Sequence, residues 1–113
     1  LGLGRDEQAG YFAQQGLVQS IEDGSPEYIG GAWRSMGLVA AKTGSPIPFR
    51  EKGEDQPTAY DARACFEKSE KIFAEAEING ERARTLREWA KYEISAGNRE
   101  EGEKLWLEAR NIF

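Results

Sequence analysis

Histidine is absent from this chain of 113 residues, and cysteine occurs once, as Cys65. Without imidazole, no side chain has an ordinary pKa near neutrality, so the usual carrier of general acid–base catalysis is missing. One thiol excludes an internal disulfide, and without histidine it also argues against a zinc site. We therefore expect no catalytic residue, no metal and no cofactor, and a reducing, cytoplasmic setting fits the lone thiol.

Long apolar segments and excess positive charge are lacking as well. No apolar run approaches the roughly 20 residues that span a bilayer, and the first residues carry no charged-then-apolar signal pattern. The formal net charge is −5, so the attraction to phosphate that supports nucleic-acid binding is missing on balance. The sequence argues against a membrane or a nucleic acid as partner. Because the chain begins with LGLG rather than methionine, we expect a longer parent polypeptide.

Charged residues of both signs make up 31% of the chain and apolar residues 39%, a composition typical of amphipathic helices. Apolar spacing and capping residues predict five helices and no strand. The expected helices cover 6–22, 26–43, a third from a Thr58/Asp61 capping box to about 77, 81–96, and a fifth from an Asn98/Glu101 cap to 113. A turn is expected at 79–80, and a proline-rich loop at 45–57.

Two parts of the chain repeat one pattern when the turn glycines Gly44 and Gly97 are superposed. The helix before each glycine then aligns Trp33 with Leu86, Met36 with Trp89, and Gly37 with Ala90. The following helices align Ala62 with Gly102, Phe66 with Trp106, Ser69 with Ala109, Ile72 with Ile112, and Phe73 with Phe113. Ala9 and Gly16 take the small positions of a partial first copy.

The recurring small residues predict close packing of paired helices, since a side chain of one or no carbons lets two backbones approach. We expect Gly37 to face Ala62 and Ala90 to face Gly102. Most of the buried area is expected from the large aromatic residues Trp33, Phe66, Trp89 and Trp106. Gly30 and Gly31 weaken the second helix by roughly 1 kcal/mol each relative to alanine, so packing must compensate.

This pattern resembles the tetratricopeptide repeat, of the longer kind attached to bacterial signalling proteins. The resemblance implies an all-α fold, an antiparallel helix-pair solenoid of about five helices, in one domain over 1–113. That domain would comprise a partial repeat with only its second helix (1–24), a repeat with an inserted loop at 45–57 (25–80), and a repeat at 81–113. The chain departs from the family where Ala40 and Glu93 replace an aromatic residue near the end of the repeat's first helix. The proline at the end of the repeat's second helix is also missing.

The resemblance implies a noncatalytic protein–protein interaction or scaffold module of a larger signalling protein, with its partner on the concave face of the first helices. Candidate partner-binding residues on that face are Arg34, Leu38, Arg84, Arg87 and Lys91. Four bases on an acidic chain favour an acidic peptide, because arginine makes paired hydrogen bonds to carboxylates. The alternatives are a sensor domain binding a small anion in the same groove, or plain solvated charges, with Arg84 paired to Glu88.

Three further expectations concern the rest of the chain. Ile47 and Phe49 either fold back over the helix-pair seam, which we favour, or contact another domain. The many glutamates, Glu93 among them, are expected on solvated faces, and Cys65 in a half-buried position. Because the terminal helices lack covering neighbours, we expect self-association through them.

Overall fold

A computed structural model describes residues 4–112 of the chain. Within this range the helices are α1 (Arg5–Asp23), α2 (Pro26–Thr43), α3 (Ala62–Glu75), α4 (Asn79–Ser95) and α5 (Arg99–Arg110). Two short strands, β1 (Ile47–Phe49) and β2 (Thr58–Tyr60), pair antiparallel between α2 and α3. The predominantly helical character is confirmed, whereas the expectation of no strand is wrong. The opening residues 1–3 and the alignment partner Phe113 lie outside the described residues.

The two strands form a hairpin that covers the α2–α3 seam. Ile47 and Phe49 on β1 and Tyr60 on β2 are buried, while Pro48 between them is exposed. The Trp33 ring on α2 meets Phe49 and Tyr60 edge-on, with ring centroids 5.7 and 4.9 Å apart. The favoured expectation for this segment, that it folds back over the seam, is confirmed. The strand escaped prediction because proline is tolerated on the edge strands of which a two-stranded ribbon consists.

The boundaries of α3 and α4 differ from those that the sequence predicted. The N-cap of α3 is Asp61, whose side chain accepts a hydrogen bond of 2.8 Å from the backbone N–H of Ala64, so the capping box at Thr58 is wrong. The expected turn at 79–80 is also wrong, since Asn79 begins α4. The chain turns instead at Glu77, which has a φ of 58°. Left-handed residues at helix ends are usually glycine or asparagine. The sequence therefore predicted the turn at the next such residues, Asn79 and Gly80.

Consecutive helices pack antiparallel along α2 and α3. Near the start of α2, a Cβ added at Gly30 would lie 2.6 Å from the Phe73 ring, near the end of α3. A Cβ added at Gly37, further along α2, would lie 3.0 Å from Phe66 and 3.1 Å from the Cβ of Cys65. The two glycines therefore admit α3 at close range. The neighbours of Gly37 are these two residues rather than the expected Ala62.

The α4–α5 pair uses the same device. A Cβ added at Gly102 would lie 2.9 Å from the carbonyl oxygen of Ala90 and would overlap Ile94. The expected approach of Ala90 and Gly102 is thus confirmed. Two apolar cores result, one formed by α1, α2, the hairpin and α3, the other by α4 and α5, and Trp89 packs against both.

One of the four aromatic residues expected in the core is not there. Trp33 and Phe66 are buried and Trp89 is partly buried, but Trp106 is 46% exposed. Phe66, the position aligned with Trp106, is covered by α4, and its ring lies 6.1 Å from Tyr92. The described residues place no corresponding helix over α5. The molecule measures 46 × 32 × 22 Å, and over residues 4–112 its helices are too short or too polar to traverse a bilayer.

Candidate functional site

The candidate site lies between α2 and α4, which run side by side in the same direction over α3. Arg34 on α2 contacts Glu81 and Thr85 near the start of α4. Further along both helices, Leu38 lies beside the same cleft as Tyr92. The direction follows from the two antiparallel steps, α2 to α3 and α3 to α4. Two parallel helices over a common support leave a furrow between their exposed faces.

The furrow opens towards the carboxyl ends of the two helices as a cleft of about 440 Å³, here called the α2/α4 cleft. Tyr92, which is partly buried, contributes aromatic surface to it, Leu38 is 42% exposed at its side, and the Phe66 ring in its lining is fully buried. Its full lining is Leu38, Ala41, Lys42, Phe66, Glu88, Lys91, Tyr92, Ser95 and Ala96. The cleft therefore combines an apolar surface with two lysines and one glutamate.

Two of the residues predicted to bind a partner, Leu38 and Lys91, line this cleft. Arg84 is exposed one turn before Glu88 on α4, and Arg87 is exposed on the same helix. Across residues 4–112 neither arginine makes an ion pair, and Glu88, the expected partner of Arg84, pairs with Lys91 at 3.3 Å instead. The exposed guanidinium groups of α4 are therefore available to a ligand.

Arg34, the remaining predicted residue, has a different position. Its side chain is only 11% exposed, and Nη2 lies 2.7 Å from the carboxylate of Glu81. Nη1 donates to the hydroxyl of Thr85 at 3.3 Å and to the carbonyl of Glu81 at 3.4 Å. The guanidinium also lies 5.6 Å from the centre of the Phe73 ring. These contacts attach α4 to α2, so the donors of Arg34 are occupied within the chain.

The sequence reading placed Glu93 on a solvated face, and this expectation is wrong. The side chain is 1% exposed, and both carboxylate oxygens accept hydrogen bonds of 2.7 Å from Arg63 on α3. Trp89 Nε1 and Asn98 Nδ2 each donate a further bond of 2.9 Å. The hydrogen bonds from Arg63 outweigh burial and lower the pKa of Glu93 to about 2. The carboxylate is therefore charged at neutral pH and ties α3, α4 and the turn before α5 together.

One signal in the sequence pointed to this buried position. The alignment of the turn glycines places Glu93 over Ala40, and Ala40 is buried in the first core. A charge at a core position is tolerated only when its hydrogen bonds are satisfied. The partners that satisfy it come from three separate segments of the chain, and nothing in their spacing predicts that they meet.

Reactive groups contribute little to the described surface. Cys65 is fully buried rather than half-buried, and burial raises the pKa of its thiol to about 12, so thiolate chemistry is suppressed. Between residues 4 and 112, no three carboxylate or thiol side chains converge as a metal site would require. What the cleft offers is a surface for contact: an exposed leucine, one partly buried tyrosine ring and lysine ammonium groups.

A second exposed apolar surface lies on the other side of α4. Ile94, Trp106 and Leu107 are each about half exposed and line a cleft of about 570 Å³ together with Lys91 and Glu103. Half-exposed tryptophan, leucine and isoleucine side chains that line one cleft are unusual on a surface that meets only water.

Comparison with protein-family models, with curated proteins and with solved structures finds no match to this chain.

Proposed function

We propose that this chain is a noncatalytic protein-interaction module built from tetratricopeptide-like helix pairs that stack into a solenoid. Its ligand would be an extended peptide segment bound in the α2/α4 cleft. The observation that carries the proposal is the cleft itself, where Leu38 is exposed beside the partly buried ring of Tyr92. Concave apolar surface with a few polar groups at its edge is the usual character of a binding site.

The charges around the cleft favour an acidic ligand. Lys42 and Lys91 line it, and the exposed arginines Arg84 and Arg87 extend the positive charge along α4. On a chain with a net charge of −5, such a local excess of bases attracts carboxylates and orients an acidic ligand on α4. We therefore propose a peptide with a large apolar residue for the aromatic surface and acidic residues for the α4 bases.

A small-anion sensor is the weaker proposal. A site for a small anion needs several donors converging on one point. Arg34 would have to supply some of these donors, yet it is buried and paired with Glu81. We also propose a cytoplasmic setting for the interaction module, which rests on the free thiol of Cys65. Attachment to a larger signalling protein rests on the family resemblance.

A peptide titration tests the proposal. Fluorescein-labelled peptides carrying one leucine or phenylalanine among several acidic residues would be titrated with the chain and followed by fluorescence anisotropy. We expect Leu38→Glu and the double variant Arg84→Glu/Arg87→Glu to weaken binding at least tenfold, or about 1.4 kcal/mol or more. Lys71→Glu, an exposed charge reversal on α3, is the matched control and should bind as the wild type does. Equal affinities for all four proteins would refute the proposal.

A further inference from the structure

The second apolar surface, around Ile94, Trp106 and Leu107, is formed by residues of α4 and α5. Several of them align with the residues of α2 and α3 that line the α2/α4 cleft. The superposition of Gly44 on Gly97 aligns Leu38 with Lys91 and Ala41 with Ile94, and the superposition of Ala62 on Gly102 aligns Phe66 with Trp106. The first members of these pairs line the α2/α4 cleft, and the second members line the cleft of about 570 Å³. On α3, the Phe66 position of this surface is covered by a helix, namely α4.

The contacts that hold α4 on α2 and α3 therefore indicate what kind of helix could bind the second apolar surface. Three of these contacts are ion pairs: Arg34 with Glu81 at 2.7 Å, Glu70 with Arg82 at 2.8 Å, and Arg63 with Glu93 at 2.7 Å. Two of the α4 residues lie in its first turn, and the third lies near its end. The helices α2 and α3 therefore hold α4 by matching charges as well as by shape.

The aligned positions on the exposed surface carry a different set of charges. Arg34 aligns with Arg87, which keeps its sign, but Glu70 aligns with Arg110 and Arg63 aligns with Glu103, so both of these reverse. All three residues are exposed. We call the surface formed by these residues and the apolar ones the end face; it comprises Arg87, Ile94, Glu103, Trp106, Leu107 and Arg110.

We propose that the end face binds an amphipathic helix of another polypeptide, with two adjacent acidic residues in its first turn and a basic residue three turns later. The acidic pair would meet Arg87 and Arg110, the basic residue would meet Glu103, and the apolar side would cover Trp106. This inference rests on the helix-pair repeat proposed above, because the alignment of the two pairs defines the contacts. It adds a second binding surface with its own charge code to the α2/α4 cleft.

A second copy of this chain does not fit the end face through its described helices. Docked in the same way, another copy's α4 would bring Arg82 against Arg110 and Glu93 against Glu103, which are two like-charge pairs. The helix α1 carries Asp6 and Glu7 in its first turn, but it has no basic residue in its last turn. The helix α5 has both features, yet its Arg110 follows Glu101 by nine positions instead of the eleven between Arg82 and Glu93, and Arg110 is itself part of the end face. Charge complementarity therefore selects a helix from a different protein.

Two peptides test the charge code directly. The first has the sequence of residues 78–97 with Arg82→Glu and Glu93→Lys, and the second has the unaltered sequence. We expect the intact chain to bind the first peptide at least tenfold more tightly, as measured by anisotropy of a fluorescein label. The chain variant Glu103→Arg/Arg110→Glu should reverse this preference, because it restores the charges found on α3. An apolar surface without a charge code would bind both peptides equally in both proteins, and that result would overturn the proposal.

Two further variants separate this surface from the α2/α4 cleft. Trp106→Glu should abolish binding of the first helical peptide and leave the acidic extended peptide unaffected, while Leu38→Glu should do the opposite. If the wild-type chain binds no acidic extended peptide but still prefers the first helical peptide to the second, the α2/α4 cleft proposal is refuted and the end-face proposal stands. Sedimentation equilibrium tests the remaining possibility, that a second copy of the chain binds the end face. A dimer that Trp106→Glu converts to a monomer would show this and would overturn the proposal.

Discussion

Gly30 and Gly31 are neighbours on α2 but meet different surroundings. A Cβ at Gly30 would lie 2.6 Å from the Phe73 ring, and the Gly30 carbonyl accepts a bond of 2.8 Å from Ser69, so packing offsets the loss of helix propensity. A Cβ at Gly31 would have no atom within 4 Å. The sequence presents two identical residues, and only the neighbour across the seam distinguishes them.

Alanine at each of these positions should therefore act in opposite directions. Gly30→Ala should lower the free energy of unfolding by about 2 kcal/mol, because the added methyl group displaces the Phe73 ring in a packed core. Gly31→Ala should raise it by about 0.5–1 kcal/mol, because alanine favours the helix and nothing obstructs it. Urea unfolding followed by circular dichroism at 222 nm measures both. Changes of the same sign in the two variants would contradict the packing described.

The Glu93 carboxylate links residue chemistry to pH. The pKa of Glu93 lies at about 2 in the folded chain, below its ordinary value of 4.5, so the folded state holds the proton less tightly than the unfolded state. The stability contributed by the charged form is therefore fully present above pH 4.5 and is lost as the pH falls towards 2. At about 1.4 kcal/mol per pKa unit the shift corresponds to about 3 kcal/mol, which we reduce to about 2 because Arg63 is 45% exposed.

Glu93→Gln should remove this contribution. We expect the variant to be about 2 kcal/mol less stable than the wild type at pH 7 and to differ little from it near pH 2, where the wild-type carboxylate begins to take up its proton. Urea unfolding at several pH values between 7 and 2 gives the two curves. Glu100→Gln, an exposed position on α5, is the control and should follow the wild type. A stability gap that stays constant down to the lowest pH would show that Glu93 acts through packing rather than charge.

At the scale of elements, the hairpin and α3 show how tertiary contacts settle what local patterns leave open. The segment 45–57 reads as a loop because its prolines and charges are typical of loops, yet β1 and β2 pair and bury Ile47, Phe49 and Tyr60. Its apolar residues need a surface to cover, and the Trp33 ring on α2 provides one. The hairpin is thus a part of the first core.

Removing one ring from the hairpin should therefore cost as much as removing a core residue. We expect Phe49→Ala to lower the free energy of unfolding by about 3 kcal/mol, in the range for a buried phenylalanine. Pro48→Ala, in the same strand but exposed, should change stability by less than about 0.5 kcal/mol. Thermal unfolding of both variants, monitored by tryptophan fluorescence, provides the comparison. If Phe49→Ala behaved like Pro48→Ala, the hairpin would have to lie off the seam.

At the scale of the whole molecule, the chain has two apolar cores that meet at Trp89. The polar contacts of Arg34 and Glu93 lie across the same junction, between α4 and the preceding helices. A chain of helix pairs with neighbour contacts unfolds as one unit only when those contacts are strong enough. Cooperativity in this molecule should therefore depend on the junction more than on either core.

Two tryptophans test this dependence. Trp89→Ala should cost about 3 kcal/mol, since it removes a ring shared by both cores and a donor to Glu93. It should also separate the unfolding of α4 and α5 from that of the first core, which hydrogen exchange would show as two groups of amides. Trp106→Ala is the matched control on the half-exposed end face, and its cost should be below about 1 kcal/mol with exchange still in one group. One group of amides in Trp89→Ala would mean that the junction does not govern cooperativity.

Local patterning in the sequence was sufficient for the number and approximate ranges of the helices, because helix propensity and apolar spacing act over a few residues, but it misplaced the starts of α3 and α4. It was also sufficient for the small residues at Gly37, Ala90 and Gly102, since their recurrence in two aligned segments indicates close packing. Of the candidate site, it found Leu38 and Lys91 beside the cleft and the exposed Arg84 and Arg87. These properties depend on which side of a helix a residue occupies, and periodicity reports that directly.

Only the tertiary structure decided which charges are occupied. Arg34 and Arg87 hold the same place when Gly44 is aligned with Gly97, yet the first is buried against Glu81 and the second is exposed. Glu93 is one glutamate among many in the sequence, and it is the one that meets Arg63, Trp89 and Asn98. The free energy of a charge depends on its partners and its distance from water, and both are set by segments far apart in the chain.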